Sequence, residues 1–206
     1  MSVNAYVRWF GAGLLSLLFS AAAFAEPVVN QPAPLFSADT AAGSKLNLAD
    51  LRGKTVILEW TNHECPFVKK HYESGNIPNL QKQAAEQGIV WLQVISSAPG
   101  KQGHVDAETA KKINAERNAQ PANTVFDPSG EIGKLYAATN TPQLFIIDPQ
   151  GVLLYKGGID SIPSADKADI AKAENYISSA LKELAAGKPI SQSSTKPYGC
   201  TVKYAG

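Results

Sequence analysis

The sequence predicts an α/β fold: a central mixed sheet flanked by helices, an N-terminal hairpin before it and a C-terminal tail packing back on it. Three observations carry this reading. Thr55–Trp60 is a near-continuous apolar, β-branched run of strand length, the pattern of a strand buried on both faces of a sheet. After it, strand-like and helix-like segments alternate, which points to parallel strands joined by right-handed crossovers. Finally, only Asp148-Pro-Gln-Gly151 separates the last two strand-like runs, so those two form a hairpin and the last strand runs antiparallel.

The chain divides into a leader at residues 1–25, one domain at 26–187 and a tail at 188–206. In the leader Arg8 is the single charge, Trp9–Phe24 is apolar apart from glycine and serine, and Ala23-Phe24-Ala25 is an A-x-A cleavage pattern. That is the build of a secretory signal peptide, and the run is short for a bilayer-spanning helix. The expected product is periplasmic or secreted. About 181 of the 206 residues remain, enough for one domain with its own core. Without Arg8 the chain carries 18 basic and 18 acidic side chains, a balance that argues against a nucleic acid or an acidic membrane as partner.

In order, Thr40–Ser44 is a turn cluster between the arms of a short hairpin, Leu35-Phe36 and Lys45–Leu48. Ala49–Gly53 reads as a brief helical turn before the Thr55–Trp60 strand. A helix is expected from Pro66 to Tyr72, a break at Ser74-Gly75-Asn76, and a second helix from Pro78 to Gln87. Gly88–Ser96 is the next strand, and the loop to His104 lies at its carboxyl end, where open α/β sheets bind ligands. A polar helix follows at Asp106–Gln120, a strand at Asn123–Phe126, a short helix at Ile132–Ala138, and strands at Gln143–Ile147 and Val152–Lys156. The last helix is expected at Asp166–Ala186, with an apolar stripe at Ile170, Ala173, Ile177, Leu181 and Leu184.

The chemistry centres on Cys65. Pro66 behind it suits the first position of a helix, so Cys65 is expected at a helix N-terminus, where free amides and the helix dipole favour a thiolate. The plainer reading is a small buried residue at a strand end. The other cysteine, Cys200, lies 135 positions on, and in an oxidising compartment the default for two cysteines is to pair. A purely structural bridge of that span would contribute about 5 kcal/mol by loop entropy.

Glu59-Trp-Thr-Asn-His-Glu-Cys-Pro-Phe-Val-Lys-Lys-His-Tyr72, the later Thr141-Pro-Gln-Leu-Phe-Ile-Ile-Asp148 and the ending Pro197-Tyr-Gly-Cys-Thr-Val-Lys-Tyr204 carry a resemblance. The chain resembles the thioredoxin-fold redoxin proteins of the alkyl hydroperoxide reductase and thiol-specific antioxidant superfamily, over roughly Pro32–Tyr204. The resemblance implies a thioredoxin-like fold and thiol-based redox chemistry with no cofactor. It puts Glu59 at the place of a buried proton-accepting carboxylate. It makes Thr141-Pro142 a cis-proline loop that, with Pro66, forms the substrate-binding set facing Cys65. Thioredoxins carry a second cysteine where this chain has Val68, so a distant thiol must resolve Cys65, and Cys200 is the internal candidate. Lys69, Lys70 and His63 are expected to favour the Cys65 thiolate, and Glu64 to oppose it.

The expected partner is a thiol- or disulfide-bearing protein or small thiol. Peroxide reduction is the alternative, although the proline and threonine that peroxiredoxins place before the cysteine are replaced here by Leu58 and Asn62. The arginine such chemistry needs would have to be Arg52 or Arg117. Two further readings remain. One is copper handling by Cys65, Cys200, His63, His71 and His104, although His71 reads as a helix-surface residue and His104 as a loop residue. The other is a redox-silent binding module stapled by a Cys65–Cys200 bridge. No metal is expected at the site.

Overall fold

A computed structural model describes residues 26–205; the leader expected at Met1–Ala25 falls outside the described residues. The chain enters through a hairpin, β1 (Ser37–Asp39) and β2 (Lys45–Asn47), with Ser37 opposite Asn47. Asn47 caps a single 3-10 turn at Leu48–Leu51 by accepting from the Ala49 amide. Next comes β3 (Val56–Trp60), all five residues buried. α1 (Pro66–Glu73) and α2 (Asn76–Glu86) follow, separated at Gly75, whose φ of +77° needs no Cβ.

The remaining elements are β4 (Val90–Ile95), α3 (Ala107–Glu116), β5 (Asn123–Phe126), α4 (Glu131–Leu135), β6 (Asn140–Thr141), β7 (Gln143–Ile147), β8 (Leu153–Gly157), α5 (Tyr176–Ala185) and β9 (Cys200–Thr201). The main sheet has the order β5-β4-β3-β7-β8. β3, β4 and β5 run parallel, while β7 and β8 are antiparallel to their neighbours. This is the mixed sheet the sequence predicted, with β3 at its centre.

Alternation along β3 sorts the side chains between two cores. Val56, Leu58 and Trp60 face the hairpin and α4, where Trp60, Tyr136 and Phe145 pack together. The Trp60–Phe145 rings meet edge-on with centroids 5.1 Å apart, a geometry worth about 0.5–1.5 kcal/mol beyond buried area. Ile57 faces α1, α2 and α5 and joins Val68, Tyr72, Ile77, Leu80, Ile177 and Leu181. Glu59 points the same way by register and is fully buried.

The last helix departs from expectation. Its apolar stripe predicts a start at Asp166, yet Lys167–Asp169 forms only a 3-10 turn and α5 begins at Tyr176. The reason is local competition. Asn175 leaves the helical conformation to accept from the Ser178 amide and to donate from its side chain to Asn76, while the Ser161 amide takes the Glu174 carbonyl. A side-chain cap and a strand-like bridge between Asp160 and Asn175 thus replace the first turns of helix.

Beyond α5 the tail crosses the molecule as a strap. Ser193 and Thr195 bond to the Lys156 backbone on the β8 edge, β9 pairs antiparallel with β6, the Val202 amide donates to Thr139 and the Lys203 carbonyl accepts from Ala98. The Tyr204 hydroxyl ends it by donating to the Ala138 carbonyl at 2.6 Å. Tyr204 lies on Gly130 and Gly133, where a Cβ on Gly133 would come 2.3 Å from its hydroxyl oxygen.

Candidate active site around Cys65

β3 delivers the chain to Thr61–Glu64, and two short bonds fix that turn. The Asn62 side chain accepts from the Glu64 amide at 3.0 Å, and its carbonyl accepts from the Cys65 amide. The loop after β4 braces the turn: the Gly103 amide donates to Glu64 at 2.7 Å. Gly103 lies so close to Asn62 that a Cβ there would be 2.5 Å away. The loop expected to hold a ligand therefore packs on the cysteine turn.

Cys65 is the N-cap of α1 with Pro66 at the first helical position, as the sequence predicts. Its side chain is 0% exposed. The Thr141–Pro142 bond is cis, and the Thr141 carbonyl lies 3.3 Å from the Cys65 sulfur. The Cys200 sulfur is 2.6 Å away, and both cysteines are unbridged thiols. Folding has therefore removed the 135-residue separation, leaving the two sulfurs close to the bonding distance of about 2.05 Å.

The two thiols differ in acidity. Burial pushes the Cys65 thiol up, but hydrogen bonding with Cys200, the Val68 amide in the first turn of α1 and Thr141 outweigh it, so Cys65 lies below the ordinary 9.0. Cys200 is pushed up to about 11, first by burial and then by the hydrogen bond to Cys65 and its charge. Two of the three cations expected to help Cys65 are engaged or neutralised, whereas Lys69 is exposed. Burial holds His63 below its ordinary value and so toward the neutral form, and the Lys70 ammonium faces Asp160 at 3.6 Å.

Glu59 sits in a closed network on the α1 side of the sheet. The Tyr72 hydroxyl is 2.7 and 2.9 Å from its two oxygens, and Trp91 Nε1 donates at 2.8 Å. Gln93 donates to Tyr72, Asn114 donates to Gln93, and Arg117 donates to Asn114 while its guanidinium lies 3.5 Å over the Tyr72 ring. Burial raises the Glu59 pKa above 4.5, against the pull of Arg117 and of its donors. The hydrogen bonds of its carboxylate run to Tyr72 and Trp91, not to the Cys65 sulfur.

A second buried network was not foreseen. His71, expected on the helix surface, is 0% exposed. Its Nδ1 accepts from Asn76, so its Nε2 carries the hydrogen and points to the Tyr198 hydroxyl at 3.0 Å. Tyr198 in turn donates to Asp160, which also faces Lys70. Burial, with the nearby Lys70 charge, lowers the His71 pKa to about 3. One sequence signal was available for His71: it falls three residues after Val68 and next to Tyr72, on the inward face of α1. For Asp160 there was none.

The residues of the other readings lie apart. His104 Nδ1 lies 3.1 Å from the Ser97 carbonyl, and among the described residues no three His, Cys, Asp or Glu side chains are grouped to hold one metal ion. The Arg52 guanidinium packs against Gly151, and Arg117 covers Tyr72. Among the described residues no helix is long and apolar enough to cross a membrane.

Known structures share this architecture. An uncharacterised conserved protein from Geobacillus kaustophilus superposes with a TM-score of 0.70 at 22% identity, covering 86% of this chain and 93% of its own. A protein from Sinorhizobium meliloti gives 0.69 at 21% identity, covering 88% and 97%. The thioredoxin domain of a thiol-disulfide oxidoreductase from Bacteroides vulgatus gives 0.50 at 18% identity, covering 70% and 96%. At these identities the likeness concerns the fold, which is thioredoxin-like. Among curated proteins none matches the chain. The AhpC/TSA family model matches residues 29–156, from the segment before the hairpin through most of β8, and this chain, with its cysteine at the start of α1, belongs to that family.

Proposed function

We propose that this protein is an exported thiol-disulfide oxidoreductase in which Cys65 attacks and Cys200 resolves. The observation that carries the reading is the pair itself: two free thiols 2.6 Å apart, one with its pKa lowered and the other with its pKa raised. The Cys65 thiolate attacks one sulfur of a substrate disulfide, the substrate S–S bond breaks, and one substrate sulfur leaves as a thiolate. Cys200 then loses its proton to solvent and attacks the Cys65 sulfur, closing the Cys65–Cys200 bond and releasing the second substrate thiolate. Two electrons pass to the substrate, and a thiol donor must later reopen the bridge. The secretory leader read at Met1–Ala25 supports export, and no cofactor is needed.

The Thr141 carbonyl lies beside the sulfur, Pro142 follows it through a cis bond and Pro66 opens the helix, which supports Thr141, Pro142 and Pro66 as the substrate-contacting set. Glu59, bonded to Tyr72 and Trp91 and raised above its ordinary pKa by burial, is the buried proton-accepting carboxylate of this reading. Peroxide reduction is less well supported, because both described arginines are committed elsewhere.

The test is a pair of variants treated with oxidised glutathione. Cys200→Ser should accumulate a one-to-one mixed disulfide at Cys65, read by intact mass. Cys65→Ser should form one at least about tenfold more slowly, a difference equal to 1.4 kcal/mol in barrier. Equal rates would mean that the two sulfurs have no division of labour.

A further inference from the structure

With the tail in place, Cys65 has no exposed surface. The Thr141 carbonyl, the first turn of α1 and the surrounding core occupy its other sides. A sulfur from outside therefore reaches Cys65 only by taking the position that Cys200 now holds. The segment holding that position has a definite form. It is an extended strand, paired antiparallel so that Cys200 lies opposite Thr141 and Thr201 opposite Asn140. The Asn140 side chain also donates to the Gly199 carbonyl at 3.0 Å.

The two residues before the cysteine fit their surroundings closely. Gly199 has φ of +113°, and a Cβ there would come 2.1 Å from the Thr141 carbonyl oxygen, so the strand edge admits glycine and excludes a side chain. Tyr198 packs edge-on against Phe67, with centroids 5.9 Å apart and planes at 68°. Its hydroxyl enters the buried well formed by Asp160 and His71. Asp160 Oδ2 is left in that well without a hydrogen-bond partner.

We propose that this tail is an internal copy of the partner segment, and that the site takes from other proteins an extended aromatic–Gly–Cys stretch paired along Asn140–Thr141. This rests on the exchange chemistry proposed for Cys65. The tail lifts, and the partner strand docks with its cysteine in a disulfide to a second sulfur. The Cys65 thiolate attacks the docked cysteine, forming a mixed disulfide and expelling the second sulfur as a thiolate. The returning tail brings the Cys200 thiolate onto Cys65, forms the internal bridge and releases the partner cysteine as a thiolate. One strand edge cannot hold both segments, so the return that resolves the mixed disulfide also displaces the partner.

The test uses full-length Cys200→Ser protein and a peptide with the sequence of residues 196–204, its cysteine linked to coloured thionitrobenzoate. A shuffled peptide with the cysteine kept in place and a peptide carrying Gly199→Ala are the controls. Release of the coloured thiol, with the peptide left on Cys65, should be at least about tenfold faster for the tail sequence than for either control. Adding Tyr198→Phe to the protein, which weakens its own tail, should raise the rate with the tail peptide severalfold. Equal rates for all three peptides, while dithiobisnitrobenzoate still labels Cys65, overturn the proposal and leave the exchange reading standing. Silence toward that reagent overturns both.

Discussion

Two buried polar networks lie on the same side of the sheet, and they differ in who completes them. The Glu59 network is built by β3, β4, α1, α3 and the start of β5, and its carboxylate accepts from Tyr72 and Trp91 within the sheet domain. The Lys70–His71–Asp160 network takes two of its bonds from the tail, through the Tyr198 hydroxyl to His71 and Asp160, and even so leaves Asp160 Oδ2 without a hydrogen bond. Unmet polar groups in a low-dielectric interior are costly. The first network therefore holds the domain together, whereas the second holds the tail to the domain and sets its grip two residues from Cys200.

Asp160→Ala should break this contrast most severely. It strips the partner from Lys70, whose side chain is 0% exposed, and loss of one member of a buried pair costs about 3–5 kcal/mol. Urea unfolding should show that loss, and limited proteolysis should cut the tail first. A variant as stable as the parent, with its tail equally protected, would end the claim that this network holds the strap. Glu59→Gln is a milder change, because the amide keeps one acceptor but turns an N–H toward donors. It should cost about 1–3 kcal/mol and leave tail proteolysis unchanged; selective tail cleavage would merge the two networks into one.

Acidity gives the smallest and most discriminating effect, because the networks respond to it with opposite sign. His71 is depressed in the folded state, from 6.5 to about 3, so its contribution is present above pH 6.5 and is lost as the pH falls through that window. Glu59 is raised above 4.5, so its contribution is full below pH 4.5 and is lost as the pH rises through the folded value. In a pH series of urea midpoints, His71→Gln should flatten the acid limb, and Glu59→Gln should flatten the loss on the way up. An unchanged acid limb in His71→Gln would show that the histidine is not buried neutral.

The parts of the molecule that could be read from the chain were those set by local pattern. The β-branched run of β3 and the proline after Cys65 place the sulfur at a helix start without further information, and β5 and β7 fall where their apolar runs lie. The start of α5 could not be read that way, since the stripe through Ile170 and Ala173 favours helix and only the bridge from Asp160 to Asn175 opposes it. The same limit hid the second network. Lys70 and His71 look like solvent-facing helix residues until an aspartate 90 positions on and a tyrosine from the tail meet them. Long-range polar partners leave no periodicity to detect. The approach of Cys200 to Cys65 was foreseen from there being only two cysteines, but the strand pairing that produces it was not.

The strap is held on both sides of its cysteine, by Thr195 against Lys156 and by Tyr204 against Ala138. When the middle lifts, Cys200 is therefore tethered twice and cannot drift into solution. Its effective concentration at Cys65 stays in the millimolar range expected of a short linker, whatever the protein concentration. In the proposed exchange a small thiol would intercept a mixed disulfide on Cys65 only where it is itself present at about that level, so in dilute surroundings the internal thiol would win and the partner would leave reduced.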